Sequence, residues 1–212
     1  MAKSVLCVDL GNVLIKFEER YLKEILREEK FRSFLPLIHN YDKGLIELFD
    51  LHKQLVCGNY FRRHISWAEF IGAYGKCIDC VHQPMYDVLY KIKSENRARL
   101  VCITDNNHFC FYTTSTKFPE VCELFREGER EQWILSYNRH SLKRDGGPFT
   151  RTPSEFGFLL KDACFVDDMQ INLDMAVKSG FRKNACFLYN MKDFENHERF
   201  LKFLDKHFPA KS

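Results

Sequence analysis

No stretch of this 212-residue chain approaches the run of about 20 apolar residues that a membrane helix needs, so no membrane partner is expected. The opening residues Met1-Ala2-Lys3-Ser4 pass straight into Val5-Leu6-Cys7-Val8. That apolar stretch is too short for a secretion signal and Asp9 interrupts it, so a cytoplasmic location is the expectation. Basic residues alternate with acidic ones, the formal net charge is only +3, and no basic stripe suggests a nucleic-acid partner. Internal repeats and low-complexity linkers are also missing. Core material is plentiful: hydrophobic residues make up 45% and aromatics 15%, with 20 Phe. That composition argues against disorder and suits one globular unit, or a core carrying a single insertion.

Cysteine is not scarce, at nine residues, but the arrangement lacks what a cysteine-based function needs. Cys77-Ile78-Asp79-Cys80 is a CxxC with no second pair at zinc-ribbon spacing. Cys7, Cys102, Cys164 and Cys186 sit inside apolar runs, where a thiol serves as a small core side chain. Buried thiols are therefore expected, rather than zinc or disulfides.

The rhythm of the chain changes twice. Residues 5–9 read as a buried strand running into a Gly11-Asn12 loop. Residues 17–93 read as helical: 18–34 is rich in Glu, Lys, Arg and Leu, and 42–56 places Leu45, Leu48, Phe49 and Leu55 at helical intervals. Ser66 followed by Glu69 is a capping box, and Gln83-Pro84 opens a further helix. Beyond that point short apolar runs alternate with helices. Strands are expected at 99–104, 133–136, 163–166 and 185–189, and helices at 171–179, ending at Gly180, and at 193–207. Buried strands separated by helices, without hairpin signals, predict an α/β protein with a Rossmann-like parallel sheet. Residues 1–16 and 94–212 are expected to form that core, and residues 17–93 an inserted helical cap over the ends of its strands.

Four polar positions follow apolar strands: Asp9, Thr104-Asp105, Lys143 and Asp167-Asp168. In an open parallel sheet the carboxyl ends of the strands border the ligand crevice, so these groups should converge there. Asp9 and Asp168 in particular are expected close enough to share one ion.

Taken with their neighbours, these positions resemble the motifs of the haloacid dehalogenase (HAD) superfamily. Cys7-Val8-Asp9-Leu10-Gly11-Asn12-Val13-Leu14 is similar to the first motif, and Ile103-Thr104-Asp105-Asn106 to the second. Leu135-Ser136-Tyr137 with Lys143-Arg144-Asp145 resembles the third, and Phe165-Val166-Asp167-Asp168 with Asn172 the fourth. The wording Asp-Leu-Gly-Asn looks like the sugar-1-phosphate phosphatase branch. The resemblance implies a Mg²⁺-dependent phosphatase acting on a small phosphate ester, possible sugar phosphates included, through an aspartyl-phosphate. Asp9 would be the nucleophile. Asp9, Asp167, Asp168 and the Gly11 carbonyl would hold Mg²⁺, which prefers oxygen ligands. Thr104, Asp105, Asn106 and Asn12 would bind substrate, and Lys143 and Thr104 would stabilise the transferring group.

Gly11 departs from the pattern. Phosphatases of the superfamily usually carry there a second Asp that acts as general acid and base, and losing such help typically costs about 10²–10⁴-fold in rate. Three explanations stay open: a leaving group good enough to depart unprotonated, such as an anomeric or acyl phosphate; a substitute from the cap, with His52, His64, Glu18 and Glu19 as candidates; or a weak or silent relative that only binds. Arg144, in place of the customary Pro, and Gly146-Gly147 add to the third. Carbon–halogen hydrolysis or phosphotransfer by the same nucleophile are further alternatives, but paired carboxylates beside Asp9 disfavour dehalogenation unless a cation offsets them. Oligomeric state is not legible.

Overall fold

The computed structural model describes residues 4–150 and 155–210. Its centre is a five-stranded sheet in the order β7-β4-β1-β8-β9. The strands are β1 (Val5–Val8), β4 (Arg99–Thr104), β7 (Trp133–Leu135), β8 (Ala163–Asp167) and β9 (Cys186–Leu188), and every pairing is parallel. The expected α/β class and parallel sheet are observed. Strand β1 is central, with Val8 opposite Cys102 on one side and Val166 on the other.

The pleat sorts each apolar run into two cores. Leu6, Val8, Leu100, Cys102, Cys164 and Val166 join one buried cluster, while Val5, Cys7, Val101, Ile103 and Phe165 join the other. Strands buried on both faces have no polar alternation to show, which is why they read as continuous apolar runs. From β1 the chain builds outward to β4 and β7, then returns to place β8 on β1's other flank. That reversal makes the carboxyl end of β1 a topological switch point, where open α/β sheets hold their ligands.

After β1 the chain enters β2 (Ile15–Phe17), which pairs antiparallel with β3 (Ile78–Val81). Four helices lie between these strands: α1 (Arg20–Ile25), α2 (Phe31–Asp42), α3 (Leu48–Cys57) and α4 (Trp67–Lys76). Helix α4 starts at the Ser66–Glu69 capping box, both halves of which form. Helix α5 (Gln83–Ser94), with Pro84 in its first turn, lies against β4 of the main sheet, although the sequence reading grouped it with the insertion.

Three local expectations are corrected. The helical pattern over 42–56 is broken, because Gly44 takes a left-handed φ of +64° and α3 begins only at Leu48. Residues 18–34 are also two helices, since Leu26 is extended and ends α1. A short hairpin joins β5 (Arg126–Glu127) to β6 (Arg130–Glu131) through Gly128, at φ +61°, where no hairpin signal was read.

All nine cysteines are unpaired thiols; Cys7, Cys77, Cys102, Cys110 and Cys164 are buried. Among the described residues, no helix is long and apolar enough to cross a membrane.

Candidate active site

Strand β1 delivers Asp9. Its backbone N–H continues the ladder by donating to Val166 O at 2.9 Å, so the side chain leaves the sheet at its carboxyl end. The loop that follows is a tight turn. Asn12 adopts φ +52°, a conformation Asn tolerates better than most residues, and its Oδ1 accepts from the Phe17 N–H at 3.1 Å. Strand β8 delivers Asp167 and Asp168 beside it. Oxygens of Asp9, Asp167 and Asp168, one from each, all lie within 4.8 Å of one another.

Lys143 ties this group together. It sits in a 3₁₀ turn, Lys143–Asp145, closed by Gly146 at φ +85°. Only 1% of Lys143 is exposed, and its Nζ lies 2.7 Å from Asp9 Oδ1 and 2.6 Å from Asp167 Oδ2. Its backbone N–H donates to Asp105 Oδ1 at 2.7 Å, fixing the turn against the end of β4. Asp167 is fully buried and also accepts from Met169 N at 2.8 Å and from Asn172 Nδ2 at 3.0 Å.

The electrostatics follow from this crowding. Burial pushes the Asp9 carboxyl up; Lys143 pulls it back, and Asp167 and Asp168 push it up again. Asp168 is raised by burial and by Asp167, with Lys143 opposing. Burial alone would lower the Lys143 ammonium, but Asp167, Asp9 and Asp105 outweigh it and the net direction is up. With the three carboxyls of the cluster ionised, Lys143 offsets only one of their charges, and a divalent cation would offset the other two. The donor set also fits such an ion. It is all oxygen, and the buried Asn172 Oδ1, on the wall of the same cavity, has no hydrogen-bond partner. Lys143 and the Leu10 N–H, the latter at 2.7 Å, both bond Asp9 through Oδ1 rather than Oδ2.

Thr104 ends β4 and is buried, its hydroxyl no closer than 3.5 Å to the Asp105 carbonyl. The next residues are held by Ser136, whose Oγ accepts from Asn106 N at 2.8 Å and contacts Asp42 O at 2.6 Å.

A cavity of about 270 Å³ opens over these groups. Asp9, Gly11, Asn12, Thr104, Asp105, Asn106, Lys143 and Asp168 all line it, so the sequence-predicted residues converge, with Asp167 beneath them. Of the substitute acids considered, only Glu19 reaches this cavity. Glu18 lines an adjoining groove rather than this cavity and pairs with Lys16 at 3.3 Å. His52 contacts the Ile65 carbonyl at 3.1 Å and packs beside Phe61, Trp67 and Phe70, and His64 lines a distant groove. Both are therefore corrected as candidates, since the folding of the insertion turns them away.

The sequence reading missed Asp42. It lines the cavity at the end of α2 and accepts from Asn107 Nδ2 at 2.8 Å. Burial pushes its carboxyl up to about 7, with the Asn107 bond opposing and Asp105 adding. Nothing in a helical segment marks such a residue, because its environment is set by a partner 65 positions away.

No family model matches the chain, and no curated protein matches it. Solved structures do. A HAD family enzyme from Bacteroides thetaiotaomicron, as its magnesium complex, has a TM-score of 0.71 at 18% identity, over 94% of this chain and 99% of its own. The wild-type form of that enzyme with magnesium and inorganic phosphate gives 0.70 at 19% identity, over 91% and 98%. A predicted HAD-like family hydrolase from Porphyromonas gingivalis gives 0.67 at 16%, over 95% and 99%. The fold of this chain is thus that of the HAD family enzymes: an α/β Rossmann-like core with a parallel sheet. At these identities the likeness fixes the fold alone, and the chemistry rests on the geometry at Asp9.

Proposed function

We propose that the chain is a Mg²⁺-dependent hydrolase of small phosphate monoesters that works through an aspartyl-phosphate. The carrying observation is the cluster of Asp9, Asp167 and Asp168 around Lys143 at the switch point of the sheet. Asp9, Asp167, Asp168 and the Gly11 carbonyl would hold Mg²⁺, with Asn172 Oδ1 as a further oxygen. The ion supplies charge neutralisation for an anionic nucleophile meeting an anionic ester. The magnesium and phosphate found with the Bacteroides enzyme support this reading.

The residues divide the chemistry into two displacements. Asp9 Oδ2 attacks phosphorus, and the ester P–O bond breaks with its electron pair leaving on the alcohol oxygen. Water then attacks the same phosphorus and the bond from phosphorus to Asp9 Oδ2 breaks, restoring the carboxylate; one proton of the water leaves with the phosphate and the other balances the alcoholate released in the first step. Lys143 holds Oδ1 and offsets charge in both steps. The Thr104 hydroxyl at the end of β4 would hold a phosphoryl oxygen, with Asn106 beside it fixed by Ser136, and Asn12 and Asp105 shape the loops on either side. The helices between β2 and β3 would act as the cap: α2 and α4 contribute to the cavity wall and would exclude water from the intermediate. Sugar phosphates, suggested by the first motif, belong in the substrate panel.

The test is p-nitrophenyl phosphate turnover by purified protein, with Mg²⁺ and with a chelator. Turnover that needs Mg²⁺ is expected. Binding of phosphate without turnover of any ester would instead favour a silent binding protein.

A further inference from the structure

We propose that the substrate is the phosphate ester of a small aromatic alcohol, an aryl phosphate, rather than of a polyol; this rests on the phosphatase reading above. The first observation is the wall that the insertion gives to the cavity holding Asp9. Leu22, Phe31, Phe34, Leu35 and Ile38, from α1 and α2, form it. The polar side chains of the insertion that reach the cavity already have partners. Asp42 and the Tyr74 hydroxyl each accept from Asn107 at 2.8 Å, His39 meets Arg144 at 3.3 Å, and Glu19 pairs with Lys23 at 2.8 Å. Against this wall a polyol would set its hydroxyls on apolar carbon, at a cost for each one left unpaired, whereas an aromatic ring gains by burial. At about 270 Å³ the cavity lies at the small end of ligand sites, with room for a phosphoryl group and a single ring.

The second observation is independent and concerns the leaving oxygen. Gly11 carries no acid, and a Cβ placed there would meet nothing within 4 Å, so no neighbouring group fills the position. The acid usual at this position is therefore missing, and the two carboxyls that the insertion gives to the cavity wall, Asp42 and Glu19, are held by Asn107 and Lys23, which favours a leaving oxygen that departs with little protonation. A phenol departs unprotonated far more readily than an alcohol, because it is by several orders of magnitude the stronger acid. The apolar wall and the missing acid thus select the same compound class.

A more polar groove borders the site, lined by Arg20, Lys23, Asn190 and Lys192 among others. It touches Asn12 and Asp168 but not Asp9, Thr104 or Lys143, so a leaving group there would lie away from the nucleophile.

Three probes separate the two effects in steady-state kinetics with Mg²⁺. Phenyl phosphate has a ring and a good leaving group, benzyl phosphate a ring and a poor one, and glycerol 3-phosphate has neither. The KM values of the two aromatic esters should agree within about threefold, because the wall binds both rings. The kcat for benzyl phosphate should be lower by roughly 10²-fold or more, because no acid assists its departure. Glycerol 3-phosphate should have the lowest kcat/KM. Leu35→Asn, at a position already 43% exposed and so safe for folding, should raise KM for both aromatic esters several-fold with kcat kept. If glycerol 3-phosphate matches or exceeds phenyl phosphate, or if benzyl phosphate equals phenyl phosphate in kcat, the aryl assignment is overturned while the phosphatase reading stands. If no ester turns over with or without Mg²⁺, the phosphatase reading fails and the aryl assignment falls with it.

Discussion

Lys143 is the residue on which the electrostatics of the site depend. Its ammonium lies between Asp9 and Asp167, almost wholly out of water. Removing one partner from a buried pair typically costs about 3–5 kcal/mol, because the charges left behind stay desolvated. Lys143→Met should therefore lower unfolding free energy by roughly that amount in denaturant titrations, and Mg²⁺ should restore part of the loss. Asp42 gives the second prediction at this scale. Its folded pKa of about 7 lies above the unfolded carboxylate value of about 3.9, so the folded state binds the proton more tightly. The associated stability is fully present below pH ~4 and is lost as pH rises through about 7. Asp42→Asn keeps an acceptor for Asn107 and cannot ionise, so it should flatten stability over that window and gain about 1–2 kcal/mol at pH 8, discounted for the partial exposure of the residue. Asp9, Thr104, Lys143 and the Asp167-Asp168 pair were legible as a site because each followed an apolar run. Asp42 was not, since its pairing with Asn107 exists only in the folded chain.

At the scale of elements, two glycines make opposite predictions. Gly44, between α2 and α3, holds φ +64°, and a Cβ there would come within 2.7 Å of the Tyr137 carbonyl oxygen. Gly44→Ala should cost about 1–3 kcal/mol, from the left-handed backbone and the clash together. Gly72 lies inside α4 with nothing within 4 Å of its missing Cβ, so Gly72→Ala should gain roughly 0.5–1 kcal/mol. Thermal and denaturant melts of the two variants against wild type check both signs. These positions also show what sequence reveals about elements. The Ser66–Glu69 box could be read because both halves of the cap lie within one turn. The break at Gly44 could not, because Leu45, Leu48, Phe49 and Leu55 mimic a continuous helical stripe. In the structure Leu45 and Phe49 are 56% and 61% exposed, so the pattern carried no core meaning there.

At the scale of the molecule, the class of fold was legible because strands buried on both faces are uniformly apolar, and these were separated by helices. The order β7-β4-β1-β8-β9 was not, since it depends on which flank of β1 each crossover packs against. That order gives the site its composition: β4 and β8 flank β1, so Thr104, Asp9 and Asp167 emerge side by side from three neighbouring strands. A divalent ion bound by residues so far apart in sequence binds the folded chain and not the unfolded one. Mg²⁺ at a hundred times its dissociation constant should therefore raise stability by about 2.7 kcal/mol, read as an increase in Tm. Asp168→Asn should need more Mg²⁺ for the same increase. The account as a whole depends on Asp9 as the attacking group, and one comparison reaches it directly: the rate of phosphate release by wild type and by Asp9→Asn, purified side by side and assayed with Mg²⁺. The amide is nearly the same size, so the fold should survive, but it is a poor nucleophile. Wild type is predicted to turn over and Asp9→Asn to show no detectable turnover; an Asp9→Asn protein that keeps the wild-type rate would contradict the mechanism.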